Sequence, residues 1–462
     1  MIDPMKSNGP DEFSIKWPKL DSLIISATAG VILGLILLAR GNSLPMHSPN
    51  DLSRWATVYS LAERGTYQID ETPWPPTIDR VQLNGHSYSS KPPLLPTLLA
   101  GEYLVLKKLS FGKLNFHDTP EAVIRTIVAT VNLIPLVIFL ILYSRLLNRL
   151  APDPWVHTYA MVTAALGTYL TGFSVTLNNH TIAAFSSFFA LYAAFLIWCE
   201  GQRKWWLFGL AGFFAAFAAV NELPAVSFLA GLVAGLLWKV PRRTLWALPF
   251  ALLPIAGHFW TNYRVTGSLE PAYANKAAYD FPGSYWKIDP ATGRLVGSRI
   301  DPATGQLVIH VSDGIDNQFE PWYLYLFNML LGHHGIFSLS PIFIFTVFGI
   351  ALVVGQPGNP LKAYGLLTVL LTTVLLIFYT FFAGQRNYGG MTNGLRWSFW
   401  LIPSWLMFLP FGLGWKASQR WFRGMALMFL VVSAASAFYA TRNPWTRPWL
   451  HQFLYYIGWV KY

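Results

Sequence analysis

Asp51, Arg54 and Lys91 stand in the first long polar stretch of the chain, residues 41 to 96, just after a first apolar segment. Asp51 lies in Asn50-Asp51-Leu52-Ser53-Arg54-Trp55, and Lys91 opens Lys91-Pro92-Pro93-Leu94-Leu95-Pro96. A carboxylate can take a proton from a hydroxyl, and fixed cations can hold a phosphate as it leaves. Together at one membrane boundary, they suit the transfer of a group from a lipid-linked phosphate. A second basic element lies far down the chain, in Arg386-Asn387-Tyr388-Gly389-Gly390-Met391-Thr392-Asn393-Gly394-Leu395-Arg396. Its glycines permit close backbone approach to a ligand, and its arginines suit phosphate. Asn178, His180, Glu222, His333, Tyr388 and Asn393 are further candidates for the lining of a pocket.

Each of these residues also has a plainer reading. Asp51 is an acid in a first helical turn, where the helix dipole favours one. Arg54 could pair with Asp51 or snorkel to headgroups. Lys91 could cap an apolar segment, and Glu222 could sit at a solvated hairpin tip. His333 and His334 are adjacent, so on a helix they would point to different faces and make a poor chelating pair.

The elements that must position these groups can be read from the sequence. Residues 50 to 64 carry Leu52, Trp55, Tyr59 and Ala62 at helical spacing, and Gly65 is a natural stop. This predicts an amphipathic helix in the membrane interface with its carboxylate facing water. Asn84-Gly85 predicts a tight hairpin turn. Residues 92 to 108 read as an interfacial or re-entrant segment rather than a crossing. In the second large loop, Ile288-Asp-Pro-Ala-Thr-Gly-Arg-Leu returns twelve residues later as Ile300-Asp-Pro-Ala-Thr-Gly-Gln-Leu, which predicts two turns of a β-meander.

Composition sets the class. Of 462 residues, 53% are hydrophobic and only 12% charged, where soluble domains carry about 25% charge. Repeated apolar runs approach the ~20 residues that span a bilayer. The expected fold is therefore an all-α polytopic membrane protein with two larger external loops, 41–91 and 263–325. Spans are expected near 22–39, 121–143, 156–173, 181–199, 205–220, 224–238, 244–262, 336–354, 363–382, 397–414 and 424–441. Residues 1–21 would form a cytoplasmic tail, 22–441 the transmembrane domain and 442–462 an external tail. The net charge of +11 comes from short basic loops between spans, as membrane insertion requires, and not from a nucleic-acid surface. The 20 Trp and 21 Tyr fit interfacial belts. The single cysteine, Cys199, excludes an intramolecular disulfide framework.

Asp51 with Arg54-Trp55, followed by Lys91-Pro92-Pro93-Leu94-Leu95, resembles the first external loop of the GT-C membrane glycosyltransferases. The similarity is to the branch with protein O-mannosyltransferases and aminoarabinose transferases of lipid A (glycosyltransferase family 39-like). It is strong over residues 20 to 110 and diffuse beyond. It implies a bundle of about 11–13 transmembrane helices in a plasma (inner) membrane, with the active site on the external or periplasmic side. It also implies a polyprenyl-monophosphate sugar as donor and an envelope glycan, lipid or protein as acceptor. Asp51 would be the catalytic base. Lys91, Arg396, Arg54 and Arg386 would bind the donor phosphate. Family members commonly carry two adjacent acids at the loop start; here Leu52 follows Asp51, which leaves a divalent metal open. No nucleotide cofactor is expected, since neither a P-loop nor a nucleotide-sugar motif is present.

Two other classes compete. A transporter or flippase of lipid-linked glycans would carry mid-span charges and internal symmetry, whereas the acids here sit in loops. A polymerase or ligase using a lipid-diphosphate donor differs only in its donor. The sidedness can be tested directly. In a Cys199→Ser background, a membrane-impermeant maleimide should label Glu71→Cys from the external side and Gln202→Cys only after permeabilisation; the reverse pattern would invert the topology.

Overall fold

The computed structural model describes residues 19–39, 46–151, 153–290, 293, 295–300, 307–310, 320–383 and 386–460. Almost all of the expected tail 1–21 lies outside the described residues, as do most of the turn residues of the duplicated motif. The protein is an all-α polytopic membrane protein with two small β elements.

The first apolar helix, α1, is Leu20–Ala39. Helix α2, Pro49–Arg64, starts where the sequence supplies both halves of a capping box. Ser48 accepts from the Asn50 and Asp51 N–H groups, the Asp51 carboxylate accepts from the Ser48 N–H, and Pro49 occupies the first turn. Gly65, at φ 69°, closes the helix in the left-handed conformation.

A hairpin follows, β1 Arg80–Leu83 and β2 His86–Ser89. Its turn is Asn84-Gly85, with φ of 52° and 83°, the two positive values that the expected tight turn needs. Helix α3, Leu94–Leu109, then lies along α2 and runs the same way. At the far ends, the Lys107 ammonium lies 2.9 Å from both Glu63 carboxylate oxygens, and the Tyr103 hydroxyl donates to the same group. The later half of segment 92–108 is thus held against the end of α2.

The bundle begins with α4, Pro120–Leu150, a 31-residue helix. It widens by one π turn at residues 129–133, next to Pro135, whose missing N–H breaks the regular ladder. The expected span 156–173 is broken at Gly167-Thr168 into α5, Pro154–Leu166, and α6, Tyr169–Phe173. Then come α7 Asn179–Trp198, α8 Trp205–Asn221, α9 Leu223–Lys239 and α10 Ala247–Thr266. The second loop forms the expected meander, β3 Trp286–Ile288, β4 Leu295–Ile300 and β5 Leu307–His310, paired antiparallel in order.

The remaining helices are α11 Trp322–Leu330, α12 Phe343–Gly355, α13 Lys362–Phe382, α14 Arg396–Gly414, α15 Arg420–Arg442 and α16 Trp449–Tyr456. Among the described helices, six are long and apolar enough to cross a membrane, and α8, α9 and α12 are shorter apolar helices. The expected span at 336–354 is shortened because a separate short turn, Ile336–Leu339, precedes Pro341 and α12.

Two topological facts place the site. Helix α7 starts at Asn179 and α8 ends at Asn221, and the two pack side by side, so residues 179–180 and 221–222 share one end of the bundle. Helix α14 starts at Arg396 and packs against α7 from another direction.

Tight packing fixes that arrangement. A Cβ on Gly412 would fall onto the Phe345 carbonyl oxygen, and one on Gly349 onto the Phe408 carbonyl oxygen. Helices α12 and α14 therefore touch backbone to backbone, the small-residue contact that membrane helices favour. Gly412→Val should lower stability by ~1–3 kcal/mol or more by overpacking. Gly414→Ala, at a position with nothing within 4 Å of the new Cβ, should be near neutral; thermal unfolding in detergent compares the two.

Candidate functional site

Asp51 is fully buried, so its carboxylate faces inward and not to water as the amphipathic reading expected. Five donors converge on it. Oδ1 accepts from the Ser48 N–H at 2.7 Å, the Ser48 hydroxyl at 2.9 Å and the Leu52 N–H at 3.1 Å. Oδ2 accepts from the His47 N–H at 2.8 Å and the Thr176 hydroxyl at 2.9 Å. Burial raises the Asp51 carboxyl above its ordinary range, and these hydrogen bonds oppose the rise. A carboxylate has about four lone-pair sites, and in this arrangement five donors crowd them. The donor set fits a helix anchor and does not fit a metal ligand. Among the described residues, no group of three His, Cys, Asp or Glu is arranged to hold a metal ion.

Arg54, one turn on from Asp51, points into the bundle. Its Nη1 donates to the Asn50 carbonyl at 3.3 Å and to the Asn50 side chain, and its Nη2 donates to Asn179 Oδ1 at 2.6 Å. Burial, reinforced by the Arg396 charge, pulls the Arg54 guanidinium down to about 10. It remains a cation at neutral pH.

From Asn179 a polar chain continues. Asn179 Nδ2 donates to the Asn221 carbonyl at 2.8 Å and to Glu222 Oε1 at 2.7 Å. His180 Nδ1 lies against the same Glu222 oxygen. On the far side of the ring, Arg396 Nη1 meets His180 Nε2 at 3.2 Å. A guanidinium can only donate, so Nε2 is the acceptor and the imidazole proton sits on Nδ1, facing Glu222. Glu222 is 5% exposed. It is therefore an internal acid between α8 and α9, packed against the start of α7, and not a solvated tip.

Arg396 is positioned by the glycine-rich turn. Its Nη2 donates to the Gly389 carbonyl at 2.5 Å, and its guanidinium lies 4.9 Å from the Trp445 ring centre. Gly389 has φ 98°, and a Cβ there would come within 2.7 Å of Arg396 Nε. Only glycine permits that approach. Arg396 Nε is buried with no hydrogen-bond partner.

Lys91 joins the group through the hairpin. Its ammonium lies 3.0 Å from Asp79 Oδ2. Burial is the main effect lowering its affinity for protons; Asp79 opposes this, and the Arg54 and Arg396 charges add to it. The hairpin is fastened to α2 by Ser53, whose hydroxyl donates to the Asp79 carbonyl at 2.6 Å and shares a 2.6 Å hydrogen bond with Ser89. The Arg396 charge thus reaches both Arg54 and Lys91, and Asp79, Glu222 and Asp51 are the carboxylates that answer Arg54. A crevice of about 10 Å³, the volume one water requires, opens between Arg54, Asn179, Asn221, Val220 and the Pro92–Leu95 turn.

The other expected residues fall elsewhere. Asn178 is the N-cap of α7: its side chain accepts from the Thr181 N–H at 2.8 Å and donates to the carbonyls of Phe173 and Thr176. Asn393 clamps the C-terminal segment, donating to the Asn443 carbonyl at 3.0 Å and to Thr446 at 2.8 Å. Arg386 and Tyr388 form a second polar group: Arg386 donates to the Thr380 and Glu320 carbonyls, and Tyr388 donates to the Glu320 carboxylate. His333 belongs with that second group. It faces His334 through their Nδ1 atoms at 2.6 Å, and burial, with His451 and Arg447 nearby, pushes it down to about 3.

Asp79 is the member of the site that the sequence does not single out, while Asn179 stands in the Asn178-Asn179-His180 turn that it does. The Asn84-Gly85 turn sets Arg80 opposite Ser89, so Asp79 is next in register opposite Ser90 and adjacent to Lys91. An N-cap at Asn178 likewise leaves Asn179 and His180 as the first two residues of α7.

No family model matches the chain, and no curated protein does at a significant level. Among solved structures, the chain is similar to the archaeal oligosaccharyltransferase AglB from Archaeoglobus fulgidus, a structure in complex with an inhibitory peptide and a dolichol-phosphate. The identity is 13% and the TM-score 0.46, over 92% of this chain and 56% of that chain. The chain thus spans little more than half the length of that protein.

Replacing Asp51 with alanine should leave the His47 N–H, the Ser48 N–H and the Thr176 hydroxyl without their acceptor. The expected loss is about 2–4 kcal/mol from the cap and the buried donors. Thermal unfolding in detergent, compared with Glu71→Ala on the exposed part of the same loop, measures it.

Proposed function

We propose that this protein is an integral-membrane glycosyltransferase that moves a sugar from a polyprenyl-monophosphate donor to an envelope glycan, lipid or protein acceptor with inversion. The supporting observation is the convergence of Arg54, Lys91 and Arg396 from three separate segments around a buried Glu222–His180 pair. Three cations brought together from separate segments supply the donors that a phosphate group requires.

In this reading, the donor phosphate takes the positions now filled by Asn179 Oδ1 on Arg54 and by the Gly389 carbonyl on Arg396, and it also meets Arg396 Nε. Lys91 turns from Asp79 to the same phosphate. The Pro92–Leu95 turn and Val220 supply the apolar wall along which the lipid tail leaves. The crevice is closed at one water's volume, so donor entry must part Arg54 from Asn179.

The base in this scheme is His180 and not Asp51, whose carboxylate is saturated by five donors. Once Arg396 engages phosphate, His180 Nε2 is an unshielded lone pair. It takes the acceptor hydroxyl proton as that oxygen attacks the anomeric carbon. The bond from that carbon to the phosphate oxygen breaks, and lipid phosphate leaves with the electron pair. Glu222 holds the tautomer and stabilises the imidazolium that forms. Asp51 is then a positioning residue that sets the start of α2 and hence Arg54.

The test is donor turnover by the purified protein in lipid, with a panel of polyprenyl-monophosphate and polyprenyl-diphosphate sugars plus envelope extract. One monophosphate donor should yield free lipid phosphate. Lys91→Ala and Arg396→Lys should each lower kcat/KM by roughly 10²-fold. His180→Gln should lower kcat by roughly 10²–10⁴-fold, while Asp51→Asn keeps measurable turnover in whatever fraction remains folded. Turnover confined to a diphosphate donor would change the donor class. An active His180→Gln with a folded but dead Asp51→Asn would return the base to Asp51.

A further inference from the structure

At the opposite end of the bundle from Glu222, α8 and α10 begin side by side. A cavity of about 510 Å³ opens between their starts, lined by Arg203, Lys204, Trp205, Arg243 and Trp246. That volume falls in the ordinary range for small-molecule sites. The lining holds three cations, two indoles and no carboxylate. The acid next to this loop, Glu200, is engaged by Arg149 at 3.2 Å.

The two arginines are held by backbone and not by counter-charges. Arg203 Nη1 donates to the carbonyls of Ile197 at 2.7 Å and Gln202 at 2.9 Å. Arg243 Nη1 donates to the Arg203 carbonyl. Carbonyl tethers fix a guanidinium without neutralising it, and among the described residues its other N–H groups have no acceptor to give up before they meet a phosphate. The walls are set by Trp205 and Trp246, which are 55% and 53% exposed with ring centres 6.2 Å apart. Below the cavity, the outward faces of α8 and α10 expose Leu210, Leu248 and Leu252. A water-soluble phosphate would have no use for that apolar face, whereas an acyl chain would lie along it.

We infer that this cavity binds the headgroup of an anionic glycerophospholipid, with its phosphate on Arg203 and Arg243 and its chains along α8 and α10. The indoles sit where an interfacial belt requires them, and basic pockets between helix ends are the usual receptor for such headgroups. The basic loops place this site in the leaflet opposite the Glu222 cluster. The inference does not depend on the donor chemistry proposed above.

The experiment is native mass spectrometry of the full-length protein after reconstitution into nanodiscs of phosphatidylglycerol mixed with phosphatidylcholine, followed by mild detergent exchange. Wild type should retain phosphatidylglycerol over phosphatidylcholine by about tenfold or more. Arg203→Gln/Arg243→Gln should lose that preference while its melting temperature stays within a few degrees of wild type; the amides keep donors for the tethering carbonyls. Arg420→Gln, a basic residue outside the cavity, should behave as wild type. Equal retention of both lipids, or an unchanged preference in the double variant, would overturn the site. Displacement of the lipid by millimolar glycerol 3-phosphate would overturn its assignment to a lipid.

Discussion

A guanidinium taken out of water must be met by oxygen, and in this protein Arg54 imposes that requirement. Its side chain is 3% exposed, and the oxygens that meet it belong to Asn50 on its own helix and to Asn179 on α7. Burying a cation without partners costs several kcal/mol or more. Helix α2 is therefore docked on the bundle in the register that brings Asn179 to Arg54. Thr176 reinforces it by reaching Asp51 from the segment just before α7. Two bonds between the same two segments fix both the position and the rotation of α2. Lys91 is placed by the same docking, because the hairpin that carries it hangs from Ser53.

From Asn179 the constraint passes on through single hydrogen bonds whose direction is set by chemistry. Arginine can only donate, so Asn179 must present its oxygen to Arg54 and its amide nitrogen to Glu222. His180 then receives from Arg396 and turns its Nδ1 toward Glu222. No member can turn over its role without leaving a buried charge unmet. The pre-set tautomer of His180 is a consequence of that order. It also explains why Gly389 matters: the arginine that fixes the tautomer reaches its position only by lying against a backbone with no Cβ.

Much of this was legible in the sequence because it is local. Gly65 and the Asn84-Gly85 turn are short-range signals, and each forms the feature it predicts. The β-meander followed from the duplicated turn motif in the same way. Helix identity was legible too, but helix continuity was less so: Gly167 and Pro341 break apolar runs that hydropathy alone reads as continuous. The orientation of Asp51 was not legible, since helical spacing says which residues share a face and not whether that face meets water or a neighbouring helix. Long-range pairing was hardest. Arg54 and Asn179 are 125 residues apart, and nothing in either neighbourhood names the other. For Asp79, by contrast, the hairpin register was sufficient.

The two ends of the bundle carry cations under opposite conditions, and the contrast bears on what each can do. At the Glu222 end, every cation is answered by a nearby carboxylate or amide. A ligand there must displace an existing partner, which makes binding selective for groups that replace those contacts well. At the Trp205 end, the arginines are tethered by neutral carbonyls and face no acid among the described residues, so an anion adds charge complementarity. A site of the first kind suits a substrate that enters, reacts and leaves. A site of the second kind suits a resident molecule. The protein thus keeps its strongly coupled charges at one end of the bundle and its carbonyl-tethered arginines at the other.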